Sequence, residues 1–344
     1  MLYTLIPSII VFGMLVFFHE LGHFTVAKLS GIKVHEFSLG FGPSVFKIKP
    51  TETEYSVRIL PFGGYVKMEG EDAASGDPRA FNNKSAWTRL GVILAGPLMN
   101  FVLAILLIAI ISFSAGIATT KVSVIPGEPA SVAGIEDEDI IYSIDNIKVA
   151  TWDEVVEHIS KKPGEYLDIK VKRGNDYLTY KVLTATEAET KRGVIGIKST
   201  IIRPSPVESI KAGFEKTFWI SKMILDGLRQ IFLGRAKAEV VGPLGMVNIV
   251  GEAAKIGVIN LLYIAAIISI NLGLFNLFPI PALDGGRAIF LIIELLRGKP
   301  VEPEREGMIH FIGFALLMVL MVLVLFKDIR DLKLFKKIFR LAKL

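Results

Sequence analysis

The sequence predicts a polytopic α-helical membrane protein with about four transmembrane helices and one inserted β-rich domain. Of its 344 residues, 51% are hydrophobic, and they concentrate in runs close to the ~20 residues that cross a bilayer. One such run could be a buried core helix, but four in a single chain argue against a soluble protein. The four runs cover residues 2–27, 90–118, 256–283 and 308–326.

Composition limits the chemistry open to the chain. The first apolar run lacks a basic start and an A-x-A-like cleavage site, so we expect it to stay in the mature protein. Cysteine is absent, so any metal ion needs ligands from His, Asp or Glu. The net charge of +5 comes without a basic–aromatic module. We therefore expect no nucleic-acid partner and assign the charge to loops that face lipid headgroups.

The order of apolar and polar segments divides the chain into seven regions. In the β-rich domain, short alternating strands surround one helix, which Thr151 caps with Glu154 as its capping-box partner. The regions are 1–29 (first transmembrane helix), 30–88 (β-hairpins on the cytoplasmic side), 89–118 (second transmembrane helix), 119–203 (β-rich domain), 204–254 (helical linker), 255–307 (third transmembrane helix and cytoplasmic loop) and 308–344 (fourth transmembrane helix and basic tail).

Basic residues near the ends of the apolar runs predict the orientation of the chain. Residues 28–89 carry nine Lys and Arg, whereas none precedes the first run, so this loop is expected in the cytoplasm and the β-rich domain outside. Four spans then place the C-terminus outside, although its tail is strongly basic. Two interpretations stay open: the tail lies on the membrane surface as an amphipathic helix, or the number of spans differs by one.

The first run contains an ionisable cluster in the sequence FFHELGHF. His19 and His23 are four residues apart, so a helix places them on one face, where both imidazoles can reach one zinc ion. Glu20 can then act on a water bound to that ion. Charged groups inside a membrane are costly, which favours a functional interpretation. The alternative is an inert, hydrogen-bonded cluster at the membrane surface.

A catalytic zinc site needs a third protein ligand. His158 belongs to the β-rich domain, on the wrong side of the membrane. His35 and His310 are possible ligands, but Asp284 in NLFPIPALDGG is the better candidate. Two prolines break the helix before Asp284, and two glycines permit a tight turn after it. The alternative is that Asp284 only caps a helix or a turn.

These motifs carry a family resemblance. HELGH in the first span and NLFPIPALDGGR near the end of a later one resemble the site-2 protease family of intramembrane zinc metalloproteases, closest to the bacterial regulator-of-sigma-E protease type. The segments SLGFGP, LPFGGYVKMEGE, AGPLMNF and VGPLGM extend the match over most of the chain. The resemblance implies Zn²⁺ bound by His19, His23 and Asp284, with Glu20 as general base.

The resemblance also implies how a substrate is held. Asn276 is expected to hold the substrate or polarise the scissile carbonyl, and Asn100 to lie near the active site. The hairpins around residues 37–69, including Gly63 and Gly64, are expected to form a membrane-associated β-structure that binds an extended substrate by strand addition. The implied substrates are single-span proteins of the bacterial cytoplasmic membrane, such as anti-sigma factors or remnant signal peptides, cut towards its cytoplasmic side.

The 119–200 segment resembles a PDZ domain, which the distribution of Lys and Arg places outside the cytoplasm. The usual Gly-Asp of such domains is replaced by Glu138-Asp139, so the sequence predicts the fold but not the tight turn at that point. The domain is expected either to bind a peptide or to act as a spacer without a ligand. Two rival functions remain at this level: a non-enzymatic PDZ membrane scaffold and a metal-ion carrier.

Overall fold

A computed structural model describes residues 2–71, 75–237 and 240–331 and divides into two compact units. The membrane unit comprises Met1–Ile111 and Ile210–Leu344, and the β unit comprises Ser112–Ser209. In chain order the helices are α1 (Leu2–Leu29), α2 (Ala86–Ala115), α3 (Pro129–Val132), α4 (Trp152–Ser160), α5 (Pro206–Phe232), α6 (Pro243–Ile256), α7 (Val258–Leu277), α8 (Asp284–Arg297) and α9 (Pro303–Asp331). The strands are β1 (Val34–Ile48), β2 (Glu54–Met68), β3 (Ile117–Val124), β4 (Ile140–Ile144), β5 (Ile147–Lys148), β6 (Tyr166–Arg173), β7 (Asp176–Leu183), β8 (Ala185–Thr186), β9 (Gly193–Val194) and β10 (Ile197–Ile202).

Four helices among the described residues are long and apolar enough to span a membrane, as the sequence predicts. They are Thr4–Leu29, Ala86–Ala115, Val258–Leu277 and Glu304–Arg330. The third ends earlier than its apolar run, because Phe278 is extended and Pro279 follows it. Residues 284–307, expected as a loop, contain α8, whose apolar positions Ala288 and Leu291 are buried.

The helices of the membrane unit pack around one apolar core through close approaches at small residues. Because Gly22 on α1 has no side chain, this helix approaches α2 closely. A β-carbon added to Gly22 would lie 2.9 Å from Met99 Cβ of α2. Gly273 on α7 faces Phe101 in the same way, at 2.9 Å. Small residues at helix contacts are typical of membrane bundles. Buried members of the core include Leu15, Leu103, Ile220, Val250, Ala266 and Ile270.

One long hairpin replaces the several short hairpins expected between the first two spans. The antiparallel strands β1 and β2 pair from Val34 opposite Met68 outwards, with several irregularities in register. The half nearest the helices is buried against them through apolar side chains such as Phe37 and Val66. The far half exposes apolar side chains that water would not favour, among them Phe41, Val45, Phe46, Ile59 and Leu60.

The end of α9 and the start of α1 both contact α6. The Asp328 carboxylate accepts hydrogen bonds from the backbone N–H groups of Gly242 (3.1 Å) and Gly245 (3.0 Å) at the start of α6. In turn, Ser8 of α1 donates to the Val247 carbonyl of α6 at 3.3 Å. The predicted basic tail beyond Asp331 lies outside the described residues.

The β unit contains a six-stranded sheet, a two-stranded sheet of β8 and β9, and two short helices. The strand order of the larger sheet is β10-β3-β4-β6-β7, with β5 paired to β4. The helix predicted from its cap is present as α4, and the reciprocal bonds of Thr151 and Glu154 form the expected capping box. Apolar side chains from the strands and α4 fill the core, including Val122, Ile141, Val155, Leu167, Ile169 and Ile195.

The tight turn that the sequence does not predict is nevertheless formed at Glu138. Glu138 has φ = +73°, a left-handed conformation that glycine adopts without strain. The next residue, Asp139, is buried and accepts hydrogen bonds from the Arg173 guanidinium (2.8 Å) and the Glu136 N–H (3.0 Å). Burial opposes ionisation, but these hydrogen bonds outweigh it and hold the pKa of Asp139 below its usual range. They stabilise the turn despite its strain.

Candidate metal centre

The Nε2 atoms of the two histidines in the first span lie close together. One turn of α1 separates His19 from His23, and their Nε2 atoms are 3.2 Å apart. The rings are nearly perpendicular, with centroids 4.8 Å apart. Two imidazoles on one helix face therefore point to a single position, as the spacing predicts.

Asp284 completes a group of three possible ligands. Its Oδ2 lies 3.2 Å from His19 Nε2 and 3.5 Å from His23 Nε2. The three ligand atoms all lie within 4.8 Å of one another. The chain reverses after α7 through Phe278–Leu283, and α8 begins at Asp284. A helix end and a sharp turn thus bring the carboxylate to the imidazoles.

The donor set fits a zinc ion. Oδ2 of Asp284 is buried and has no hydrogen-bond partner among the described residues, and a buried carboxylate oxygen without a partner is costly. Two imidazole nitrogens and one carboxylate oxygen are ligands that zinc takes in catalytic sites, with a fourth position left for water. A bound cation would satisfy this orphaned oxygen.

Residues of α2 contact the Nδ1 atoms of both histidine rings. His23 Nδ1 is 2.9 Å from the Val92 carbonyl oxygen, which can only accept, so Nδ1 carries the proton and Nε2 is free to bind a metal. The Asn100 side-chain amide lies 3.0 Å from His19 Nδ1. The structure places Asn100 Nδ2 rather than Oδ1 at this nitrogen. Exchanging the two amide atoms would let Oδ1 accept a hydrogen bond from the Nδ1–H group and leave Nε2 free to bind a metal. This orientation also gives a partner to Asn100 Oδ1, a buried oxygen that otherwise lacks one.

Gly96 on α2 is a residue of the centre that sequence reasoning missed. A β-carbon at this position would lie 2.6 Å from Cε1 of His23 and 2.7 Å from Cδ2. The His23 ring therefore occupies the space where any other residue has a side chain. The available signal is in AGPLMNF, where the glycine precedes a proline within an apolar run.

The β2 strand passes directly over Glu20. A β-carbon on Gly64 would lie 2.9 Å from Glu20 Cγ and 2.7 Å from the Ser38 carbonyl oxygen. Gly63 has φ = +81° and packs on the ring of Phe41. Of the two expected substrate-binding glycines, Gly64 contacts the expected general base, and Gly63 shapes the strand beside it.

The remaining candidates lie elsewhere or make other contacts. His35 Nε2 lies 2.6 Å from the Glu69 carboxylate, and His310 Nδ1 accepts a hydrogen bond from the Ala282 N–H at 2.9 Å. Neither belongs to the group formed by the two α1 histidines and Asp284. Asn276 is half-buried one residue before the end of α7. The structure thus brings together the three expected ligands, with Asn100 next to one of them.

Fold and site define a class of membrane metallohydrolase, with an HExxH helix and an aspartate from a second helix inside an apolar bundle. The model of Peptidase family M50 matches residues 7–320. The chain belongs to this peptidase family, and the resemblance to site-2 proteases is confirmed. The expectation of a metalloprotease is confirmed with it.

Similar proteins match almost the whole chain. A protein of Clostridium acetobutylicum that carries the words zinc metalloprotease in its name is 40% identical, covering 95% of this chain and 97% of its own. The zinc metalloprotease RasP of Geobacillus kaustophilus is 35% identical (95% and 98% covered). The regulator of sigma-W protease RasP of Bacillus subtilis is 32% identical (96% and 99% covered).

Solved structures match a shorter part. The PDZ domain of an SdrC-like protein from Listeria innocua is 26% identical, with a TM-score of 0.22, and covers 25% of this chain and 96% of that one. The corresponding domain from Listeria monocytogenes is 22% identical, with a TM-score of 0.22, and covers 25% and 87%. The fold of the β unit is therefore described by its own strand order.

Proposed function

We propose that this chain is an intramembrane zinc endopeptidase in which His19, His23 and Asp284 hold the metal and Glu20 is the general base. One observation carries the proposal: three ligand atoms of the types zinc prefers converge between two helices of an apolar bundle. The unpaired Oδ2 of Asp284 gives this convergence a physical reason.

The reaction is peptide-bond hydrolysis. His19, His23 and Asp284 would hold a zinc ion that would supply an acidified water and a Lewis acid for the scissile carbonyl. Glu20 takes the proton of the attacking water and delivers it to the leaving amine nitrogen. Asn276 donates a hydrogen bond to the carbonyl oxygen as negative charge develops on it. Val92 and Asn100 keep both imidazoles oriented during these steps.

The substrate binds in extended form beside β2. A transmembrane helix hides its peptide bonds in its own hydrogen bonds, so a substrate must unwind before it can be cut. Because Gly64 has no side chain, β2 approaches Glu20 closely, and a segment added along this strand comes near the catalytic group. The substrates are single-span membrane proteins, such as anti-sigma factors or remnant signal peptides. The name of the Bacillus subtilis relative, regulator of sigma-W protease, supports this class.

The protein belongs in the bacterial cytoplasmic membrane, with its centre towards the cytoplasm. The nine Lys and Arg residues in 28–89 support this orientation. The β unit is then extracytoplasmic and PDZ-like, and it either binds a peptide or acts as a spacer without a ligand. We propose the seven regions defined in the sequence analysis as the domain boundaries of the protein.

Two substitutions test the function and its rivals together. The purified wild type is expected to hold about one zinc ion and to cut a model single-span protein. Glu20→Gln is expected to keep the zinc and to lose cleavage by about 10²–10⁴-fold, since only proton transfer is removed. Asp284→Asn is expected to lose both. Glu215→Gln, an exposed residue on α5, is the control for carboxylate loss.

Each rival predicts a different result. A scaffold keeps its partners in all variants and cuts nothing, and a metal-ion carrier moves zinc across vesicles without cleavage. Cleavage that survives both Glu20→Gln and Asp284→Asn refutes the proposed mechanism.

A further inference from the structure

The turn that leads into Asp284 is strained. Ala282, two residues before the carboxylate, has φ = +76°. This left-handed conformation is unfavourable for a residue with a β-carbon, and such strain persists only where neighbouring groups enforce it. Something outside the turn must therefore hold Ala282 in place.

Helix α9 supplies that restraint. The Ala282 N–H donates a hydrogen bond to His310 Nδ1 at 2.9 Å. One turn further along α9, Gly313 lies against Pro281, where a β-carbon would be 2.6 Å from the Pro281 carbonyl oxygen. The turn is thus enclosed by α9 on one side. On the other side, Gly286 of α8 lies just as close to the Ile280 carbonyl.

His310 acts here as an acceptor. Because Nδ1 accepts a hydrogen bond from the Ala282 N–H, the ring's own hydrogen is on Nε2. That nitrogen is buried without a hydrogen-bond partner in the described ranges, and Glu306 Oε1 lies 4.0 Å away. A half-satisfied imidazole is costly in an apolar setting. The Ala282 N–H satisfies the other ring nitrogen, Nδ1.

We propose that His310 is a positioning residue for Asp284: it holds the left-handed turn at Ala282 so that the carboxylate stays within reach of His19 and His23. The proposal rests on the proposed function, because it assigns a role towards the zinc ion. His310 touches neither the metal nor the substrate in this account.

The test is zinc affinity, measured by titrating full-length protein in detergent against a chromophoric chelator. His310→Ala is expected to raise the zinc Kd by about 10–100-fold, the usual effect of removing a group that orients a ligand. His310→Asn is expected to restore most of the affinity, because its side-chain oxygen can accept the Ala282 N–H. His158→Ala, in the β unit, is the control and is expected to leave Kd unchanged.

A second variant separates positioning from general packing. Ala282→Gly in the His310→Ala background is expected to recover part of the affinity, since glycine adopts φ = +76° without strain. A role in packing alone lowers the thermal stability of the metal-free protein and gives no such recovery.

The outcomes are distinct. Wild-type affinity in His310→Ala overturns the proposal, and so does a loss of affinity that neither His310→Asn nor Ala282→Gly repairs. If His310→Ala does not fold, His310→Asn with an affinity as low as that of Asp284→Asn overturns it instead. If the wild type binds no zinc, the proposed function fails and the positioning role falls with it.

Discussion

Gly96 on α2 faces the imidazole of His23 on α1 so closely that a β-carbon at position 96 would lie 2.6 Å from His23 Cε1. Because residue 96 of α2 has no side chain, the imidazole of His23, a candidate ligand on α1, fits between the two helices. The Val92 carbonyl oxygen, also on α2, accepts a hydrogen bond from Nδ1 of the same ring. Small residues in α2 therefore bear directly on the metal centre.

Gly96→Ala is expected to remove most of the bound zinc, because the added methyl displaces the His23 ring from Asp284. The metal content of the purified variant checks this. Gly91→Ala is the matched control, since a β-carbon five residues earlier in the same helix meets nothing within 4 Å. Full zinc occupancy in Gly96→Ala shows that His23 is not a ligand in the observed position.

Gly64→Ala is expected to lower the cleavage rate at least ~10-fold while zinc stays bound. The added methyl contacts Glu20 Cγ and the Ser38 carbonyl, so β2 must move away from the general base, and small displacements of reacting groups are costly. Rates and zinc content are measured on one preparation. Gly76→Ala is the matched control, because this glycine also lacks a positive φ and an added β-carbon there meets nothing within 4 Å. Equal rates in both variants would contradict the role given to β2.

Glu138→Gly is expected to stabilise the β unit by about 1 kcal/mol, because glycine relieves the strain of φ = +73°. The Lys121–Glu138 ion pair is exposed, and its loss costs little. Amide hydrogen exchange of β4 and β6 in the full-length protein checks the change. Glu138→Ala removes the same ion pair but keeps a β-carbon, so it should give no gain. Equal stabilisation by both variants rejects the strain argument.

The Asp139–Arg173 pair is expected to make the β unit sensitive to acid. The folded pKa of Asp139 lies below its unfolded value of about 4, so its contribution to stability is complete above pH 4 and is lost as pH falls further. Hydrogen exchange at pH 6 and pH 3 should show Asp139→Asn to be less protected at pH 6, with a smaller difference at pH 3. Asp168→Asn, exposed on the same sheet, is the control. A difference that does not shrink at pH 3 contradicts this assignment.

The features predicted from sequence are those with a local pattern. Apolar length gave the four candidate spans, and the four-residue spacing gave the pairing of His19 with His23. The Thr151 cap gave the start of α4. Asp284 could be favoured over His35 and His310, because prolines and glycines around it indicate a helix break.

The features that were missed depend on contacts between distant segments. Gly96 matters only because α1 lies against α2, and His310 only because α9 lies against the Ala282 turn. Glu138 occupies a turn whose geometry Asp139 and its partners enforce. Single-sequence patterns do not report which helix faces meet, since apolar spans look alike on every side.

X-ray absorption at the zinc edge of the purified wild type tests the central claim most directly. The account predicts about one zinc per chain with two imidazole nitrogens and one carboxylate oxygen at about 2.0–2.2 Å, and loss of that spectrum in Asp284→Asn. A spectrum with fewer than two imidazoles, or one that Asp284→Asn leaves unchanged, would contradict a centre built from His19, His23 and Asp284.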